Sequence, residues 1–164
     1  MKAFDDTLTI LLTWEHLGCR RLENGGYLIG HVTHVAPEAY FHNVYAALDD
    51  DRIDLIEEHI GRPLPAAMRA FYKRTNGIDV FSGALSFSGH RVSFVRTGDA
   101  AWQPFSIITP NVHERPADAP QEMVFFGFYG RDGSHLGMSV RTPTVWRFAP
   151  GTVAPLNEWP TFEE

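Results

Sequence analysis

Between Asp49 and Gly77 the chain carries the start and stop signals of two consecutive helices, and no other stretch restricts its fold as much. Asp49-Asp50-Asp51 precedes Ile53, Ile56 and Ile60, which recur at i, i+3, i+7. One aspartate can cap the orphan amides of such a helix, while the others suit its positive end. Gly61 ends it. Pro65 then stands at a natural first-turn position of a second helix, whose apolar face is Met68, Phe71 and Tyr72. Lys73 and Arg74 occupy its last turn, where the dipole favours cations. Asn76-Gly77 supplies a left-handed stop, so Gly77 is expected to have a positive φ. This helix–turn–helix need not touch DNA, because its second helix has no basic face beyond the last turn.

After Gly77 the character changes to short β-rich runs separated by glycine and proline. Val80–Phe87, Arg91–Arg96, Phe105–Thr109, Met123–Tyr129, His135–Val140 and Val145–Phe148 are each expected to be extended. Pro110 to Pro120 is expected to be a loop. Arg131-Asp132-Gly133-Ser134 is a hairpin signal. Helices first and strands afterwards describe an α+β fold, with N-terminal helices packed on a meandering antiparallel sheet of about five to six strands.

The first 48 residues are less explicit. Leu8, Leu11, Leu12 and Glu15 have helical spacing, with Asp5 or Asp6 as cap, but the threonines and Ile10 fit a strand nearly as well. Tyr27 to Val35 alternates loosely. Pro37 could open a short helix with Tyr40, Phe41, Val44, Tyr45 and Leu48 on one side. No composition shift asks for a second domain, so residues 1–164 read as one. At this length a core can form without disulfides or metals.

Residues 57 to 77 carry a specific pattern. Glu57-x-x-Ile60-Gly61-x-x-Leu64-Pro65 is followed at fixed spacing by Phe71 and Asn76-Gly77. It resembles the motif of the SUKH superfamily, which includes the fungal cell-wall assembly regulator and many bacterial immunity proteins. Phe126-Gly127-x-x-Gly130-x-Asp132-Gly133 and Val145-Trp146 before Pro150-Gly151 are similar to later family elements. The resemblance spans about residues 45–150, leaving residues 1–45 as a divergent N-terminal segment. Where family members often begin a final helix, this chain reads Trp159 to Glu164. Each motif residue also has a structural explanation: Gly61 and Gly77 end helices, Pro65 starts one, Ile60, Leu64 and Phe71 are core, and Asn76 caps.

The resemblance implies binding rather than catalysis: an immunity-type protein that neutralises a cognate bacterial toxin, such as a basic nuclease or deaminase domain, by occluding its active site. The alternative is a cytoplasmic regulatory or scaffold domain of the same fold. A monomer or homodimer suits either.

Charge and chemistry agree with a binding role. Lys and Arg total 14 against 20 Asp and Glu, a formal charge of −6, which argues against general nucleic-acid binding. The single Cys19 cannot form an intramolecular disulfide, and with no signal-peptide pattern at the N-terminus a reducing, cytoplasmic setting is expected. No stretch approaches the ~20 apolar residues of a membrane span. No metal or cofactor is expected. His31-x-x-His34 lies in an expected strand, where i and i+3 face opposite sides. No nucleophile elbow surrounds Ser82, Ser86 or Ser88, and Glu57-Glu58 point apart on a helix. The residues chosen for a partner surface are the acids Asp99, Glu122 and Asp132, in or beside loops of the sheet, with Trp102 and Tyr129 as aromatic anchors.

Overall fold

The two expected helices form where their caps place them. The computed structural model describes residues 2–163, and in it α2 spans Asp50–Ile60. The Asp49 side chain accepts the Arg52 N–H at 2.9 Å, Gly61 ends the helix at φ 70°, and Ile53, Ile56 and Ile60 are buried. α3 spans Ala66–Tyr72, one residue later than expected: Pro65 is its N-cap, and Lys73 and Arg74 lie just beyond its last turn. Glu57 ties the pair together. One oxygen accepts the Leu64 N–H at 2.8 Å and the other pairs with Arg69 at 2.8 Å. Gly77 has φ 111°, positive as expected, but it is not the stop of α3, which is capped by Lys73 four residues earlier; it turns the chain into the strand that begins at Ile78.

The N-terminal ambiguity resolves as helix. α1 spans Lys2–Leu12 and continues in a 3₁₀ turn, Thr13–Leu17, with Phe4 and Leu11 buried. Its threonines are accommodated by back-bonding: the Thr7 and Thr9 hydroxyls each donate to the carbonyl four residues earlier at 2.8 Å.

Nine antiparallel strands form one sheet in simple sequential order, against the five to six expected. They are β1 Cys19–Arg21, β2 Tyr27–His31, β3 Tyr40–Val44, β4 Ile78–Val80, β5 Leu85–Phe87, β6 Met123–Tyr129, β7 His135–Ser139, β8 Val145–Phe148 and β9 Pro155–Trp159. The class is α+β. Four details differ from the sequence reading. The segment after Pro37 is a strand rather than a helix, because Tyr40–Val44 pairs with both β2 and β4, and sheet pairing overrides its i, i+4 aromatic spacing. Val80–Phe87 is two strands joined by a turn in which Phe81 and Ser82 take positive φ. Arg91–Arg96 is not a strand: β5 pairs directly with β6, so the sheet leaves it no partner. Phe105–Thr109 contributes only one parallel bridge, Ser106 to Gly89, before a π turn at Thr109–His113.

All three helices pack on one side of the sheet. The main core joins Phe4 and Leu11 of α1, the three α2 isoleucines and Met68, Phe71 and Tyr72 of α3 to strand residues such as Ile29, Ile78, Val124 and Met138. Among the described residues no helix follows β8. β9 closes that edge, and Phe162 beyond it packs edge-on against Phe71 and Phe126. A smaller cluster of Met123, Phe125 and Phe148 lies apart from the main core, against Ala119 and Val153.

Burial of three histidines leads to an expected sensitivity of this fold to mild acid. His42 is fully buried beside Trp14 and Phe81. Burial pulls its imidazole pKa below the usual value, and does the same to His90 and His135. An unfolded histidine titrates near pH 6.5. Below about that pH the unfolded chain takes up protons that the folded chain resists, so stability falls as pH falls towards the depressed folded values. The urea midpoint is expected to drop between about pH 7 and pH 5; a flat midpoint would contradict this account.

Candidate functional site

The long connection between β5 and β6 carries several exposed apolar side chains, among them Phe94. It leaves the sheet at Gly89, whose N–H donates to Phe105 and whose carbonyl accepts Ile107 N–H at 2.9 Å. The backbones approach so closely here that a Cβ on Gly89 would lie 1.9 Å from the Asn76 carbonyl oxygen. Asn76 grips the departing chain: its side chain accepts the His90 N–H at 2.6 Å and donates to the His90 carbonyl at 2.8 Å. Asn76 therefore ties the loop to the end of α3 rather than capping that helix with its side chain.

Further along, Gln103 closes the loop on itself. Its oxygen accepts the N–H groups of Val92 and Ser93 at 2.9 and 3.1 Å, and its amide donates to Ser93 Oγ and to the Ala100 carbonyl. Asp99 fastens the loop to the β1 side of the sheet. It pairs with Arg20 and accepts the Glu23 N–H at 2.9 Å. Trp102 packs edge-on to Tyr40 at 5.9 Å, and Tyr40 stacks on His31.

These polar fastenings hold an apolar strip outward. Val92 is 67% exposed, Phe94 80% and Val95 46%. Phe105, at the foot of the loop, is 50% exposed and edge-on to Phe128 at 4.9 Å. Phe105 and Phe128 also wall a hollow of about 350 Å³ that Ser88, Glu114 and His135 help to line. Three exposed apolar side chains close together on one loop depart from the usual pattern of single scattered ones, which makes this loop the candidate surface.

The five residues singled out in the sequence fall in three places. Asp99 and Trp102 sit together in this loop, as fastenings. Tyr129 and Asp132 meet through Arg147, whose guanidinium lies 4.2 Å from the Tyr129 ring centroid and pairs with Asp132. Ser134 adds two bonds to Asp132, and together with Arg147 these hold that carboxyl below its usual range. Glu122, half-buried, lies at the other end of β6, beside Arg62, Arg115 and Arg141. Seven strand residues separate Glu122 from the Tyr129 end, roughly 23 Å of extended chain. Sequence reasoning missed Val92, Phe94 and Val95 because their alternation reads as a strand. The signal that could have found them is the pair of arginines, Arg91 and Arg96, bracketing the run.

Nothing in this surface is arranged for covalent chemistry. Cys19 is exposed, and partial burial of its sulfur together with Glu15 pushes the thiol pKa up, away from the reactive thiolate. His31 is engaged with the Pro37 carbonyl at 2.8 Å and with Tyr40. Among the described residues no three His, Cys, Asp or Glu side chains converge as metal ligands, and no helix is long and apolar enough to cross a membrane.

A model of the SMI1 / KNR4 family (SUKH-1) matches residues 47–164. The match begins close to the start of the motif region and runs past β9. No curated protein matches the chain.

Proposed function

The chain belongs to the SMI1 / KNR4 family (SUKH-1), and from that membership we propose that it is an immunity-type protein, acting in the cytoplasm, that binds a cognate bacterial toxin and neutralises it by covering the active site. It works as a stoichiometric binder and not as a catalyst. The observation that carries the choice of surface is the β5–β6 loop, with Val92, Phe94 and Val95 turned outward from a backbone held by Asn76, Asp99 and Gln103. A loop ordered before binding loses little entropy on association, so its apolar side chains can contribute nearly their full burial energy. Asp99 and Trp102 belong to this surface as its fastenings. The net charge of −6 favours a basic partner such as a nucleic-acid-cleaving domain; Tyr129 and Asp132 form a second contact around Arg147, and Glu122 lies apart among Arg62, Arg115 and Arg141.

The test is protection of growth when the toxin domain encoded beside this gene is co-expressed. The wild type is expected to protect. The double variant Val92→Asp, Phe94→Asp is expected to lose protection and weaken binding by about 100-fold or more, with an unchanged melting temperature because both side chains are already exposed. Full protection by that variant would move the binding surface elsewhere. Failure of the wild type to protect would favour a regulatory or scaffold role.

A further inference from the structure

At the end of β6 opposite Tyr129, a cleft of about 690 Å³ opens where the α2–α3 turn, the segment before β6 and the β7–β8 loop meet. Arg62, Arg115 and Arg141 line it. Arg62 and Arg115 each place an Nη1 3.0 Å from one acceptor, the Met123 carbonyl oxygen. Their guanidinium groups therefore stand no farther apart than twice that distance at those nitrogens. Such closeness of like charges is unfavourable, and it is normally relieved by a carboxylate. Among the described residues none of these three arginines has one within ion-pairing distance, which is also true of Arg21, Arg91, Arg96 and Arg131; what sets Arg62 and Arg115 apart is that they lack it while meeting at one acceptor. Burial, and for Arg115 also the charge of Arg62, pulls both pKa values below the usual arginine value, as expected for cations lacking a counter-ion. Both remain charged at neutral pH.

The geometry points to a binding site for a small molecule carrying a phosphate group, a phosphomonoester or the terminal phosphate of a nucleotide. Three guanidinium groups and the Glu122 carboxylate leave a charge of about +2, which matches a phosphate dianion better than a single carboxylate. Arginine forks meet phosphate oxygens two at a time. The volume suits a small ligand, and Pro63, Pro116, Ala119 and Val140 supply apolar wall for the remainder of it. The arginines also have a bland use, since Arg62 and Arg115 help hold the start of β6. That use accounts for Arg115, which donates to Pro120 as well and lies over the Phe125 ring. It does not account for Arg141, which has no side-chain partner among the described residues and is exposed.

Calorimetric titration of the full chain with inorganic phosphate, adenosine monophosphate and citrate tests the assignment. Adenosine monophosphate is expected to bind and raise the melting temperature, and Arg141→Gln to weaken it by roughly tenfold without changing the melting temperature of the free protein. Arg62→Gln should weaken it further. Binding of inorganic phosphate as tightly as of adenosine monophosphate would place the recognition in the phosphate group alone and still support the site. Binding of citrate with no binding of either phosphate compound would overturn the phosphate assignment. Binding of none of the three, or binding unaffected by Arg141→Gln, would overturn the site. These outcomes are independent of whether the β5–β6 loop binds a toxin.

Discussion

Gly77→Ala is expected to destabilise the protein by about 3 kcal/mol or more, while Gly61→Ala costs only about 1 kcal/mol. Both glycines have positive φ, at 111° and 70°, but only Gly61 caps a helix; Gly77 lies four residues beyond the Lys73 cap of α3, at the entry to β4. A Cβ on Gly61 would meet nothing within 4 Å, so only the backbone preference is lost there. A Cβ on Gly77 would lie 2.3 Å from the Phe87 carbonyl oxygen, an atom fixed in β5. Either the turn or the strand must shift, and both support the β5–β6 loop. Urea unfolding of the two single variants measures the difference directly. Equal costs at the two sites would mean that the close approach of Gly77 to β5 is not sustained in solution.

Asn111→Ala should be comparably severe, by about 3–5 kcal/mol, because it orphans buried backbone groups rather than merely removing a contact. β5 is short and pairs only with Gly127–Tyr129, so the first half of β6 lacks a strand neighbour on that side. Asn111, 1% exposed, stands in for the missing strand. Its oxygen accepts the Phe125 N–H at 2.9 Å, and its amide donates to the Phe125 carbonyl at 2.6 Å and to Ile107 at 2.8 Å. The exposed neighbour Val112 provides the control, since Val112→Ala is expected to change stability by less than about 0.5 kcal/mol. A small effect at Asn111 would show that water satisfies this edge of β6 without the side chain.

The helix pair was readable because its signals are local. Asp49 and Gly61 act on backbone groups within a few residues of themselves, and the isoleucine spacing reports a single face, whereas Gly77 is required by its approach to Phe87 in β5. Glu57 is a partial exception: the motif marks its position, but its bonds to Leu64 and Arg69 exist only once α2 and α3 have folded together. The β6–β7 hairpin was equally local, and its turn stands where Asp132-Gly133 places it. Tyr40–Val44 shows the opposite case. Its residues suit a helix or a strand, and the choice falls to β2 and β4, one of which lies across both helices in sequence.

By itself the sequence determined the α+β class, the family motif, the positions of α2 and α3 and the absence of any disulfide within the chain, since each depends on residue identity or near-neighbour spacing. The tertiary structure alone decided the nine-strand count, the path of Arg91–Arg96 outside the sheet, the separation of Asp99 from Asp132 and the meeting of Arg62 with Arg115. All four depend on which strands pair and on what is left without a partner. Pairing of that kind is chosen by the whole sheet at once, and no short window of sequence records it.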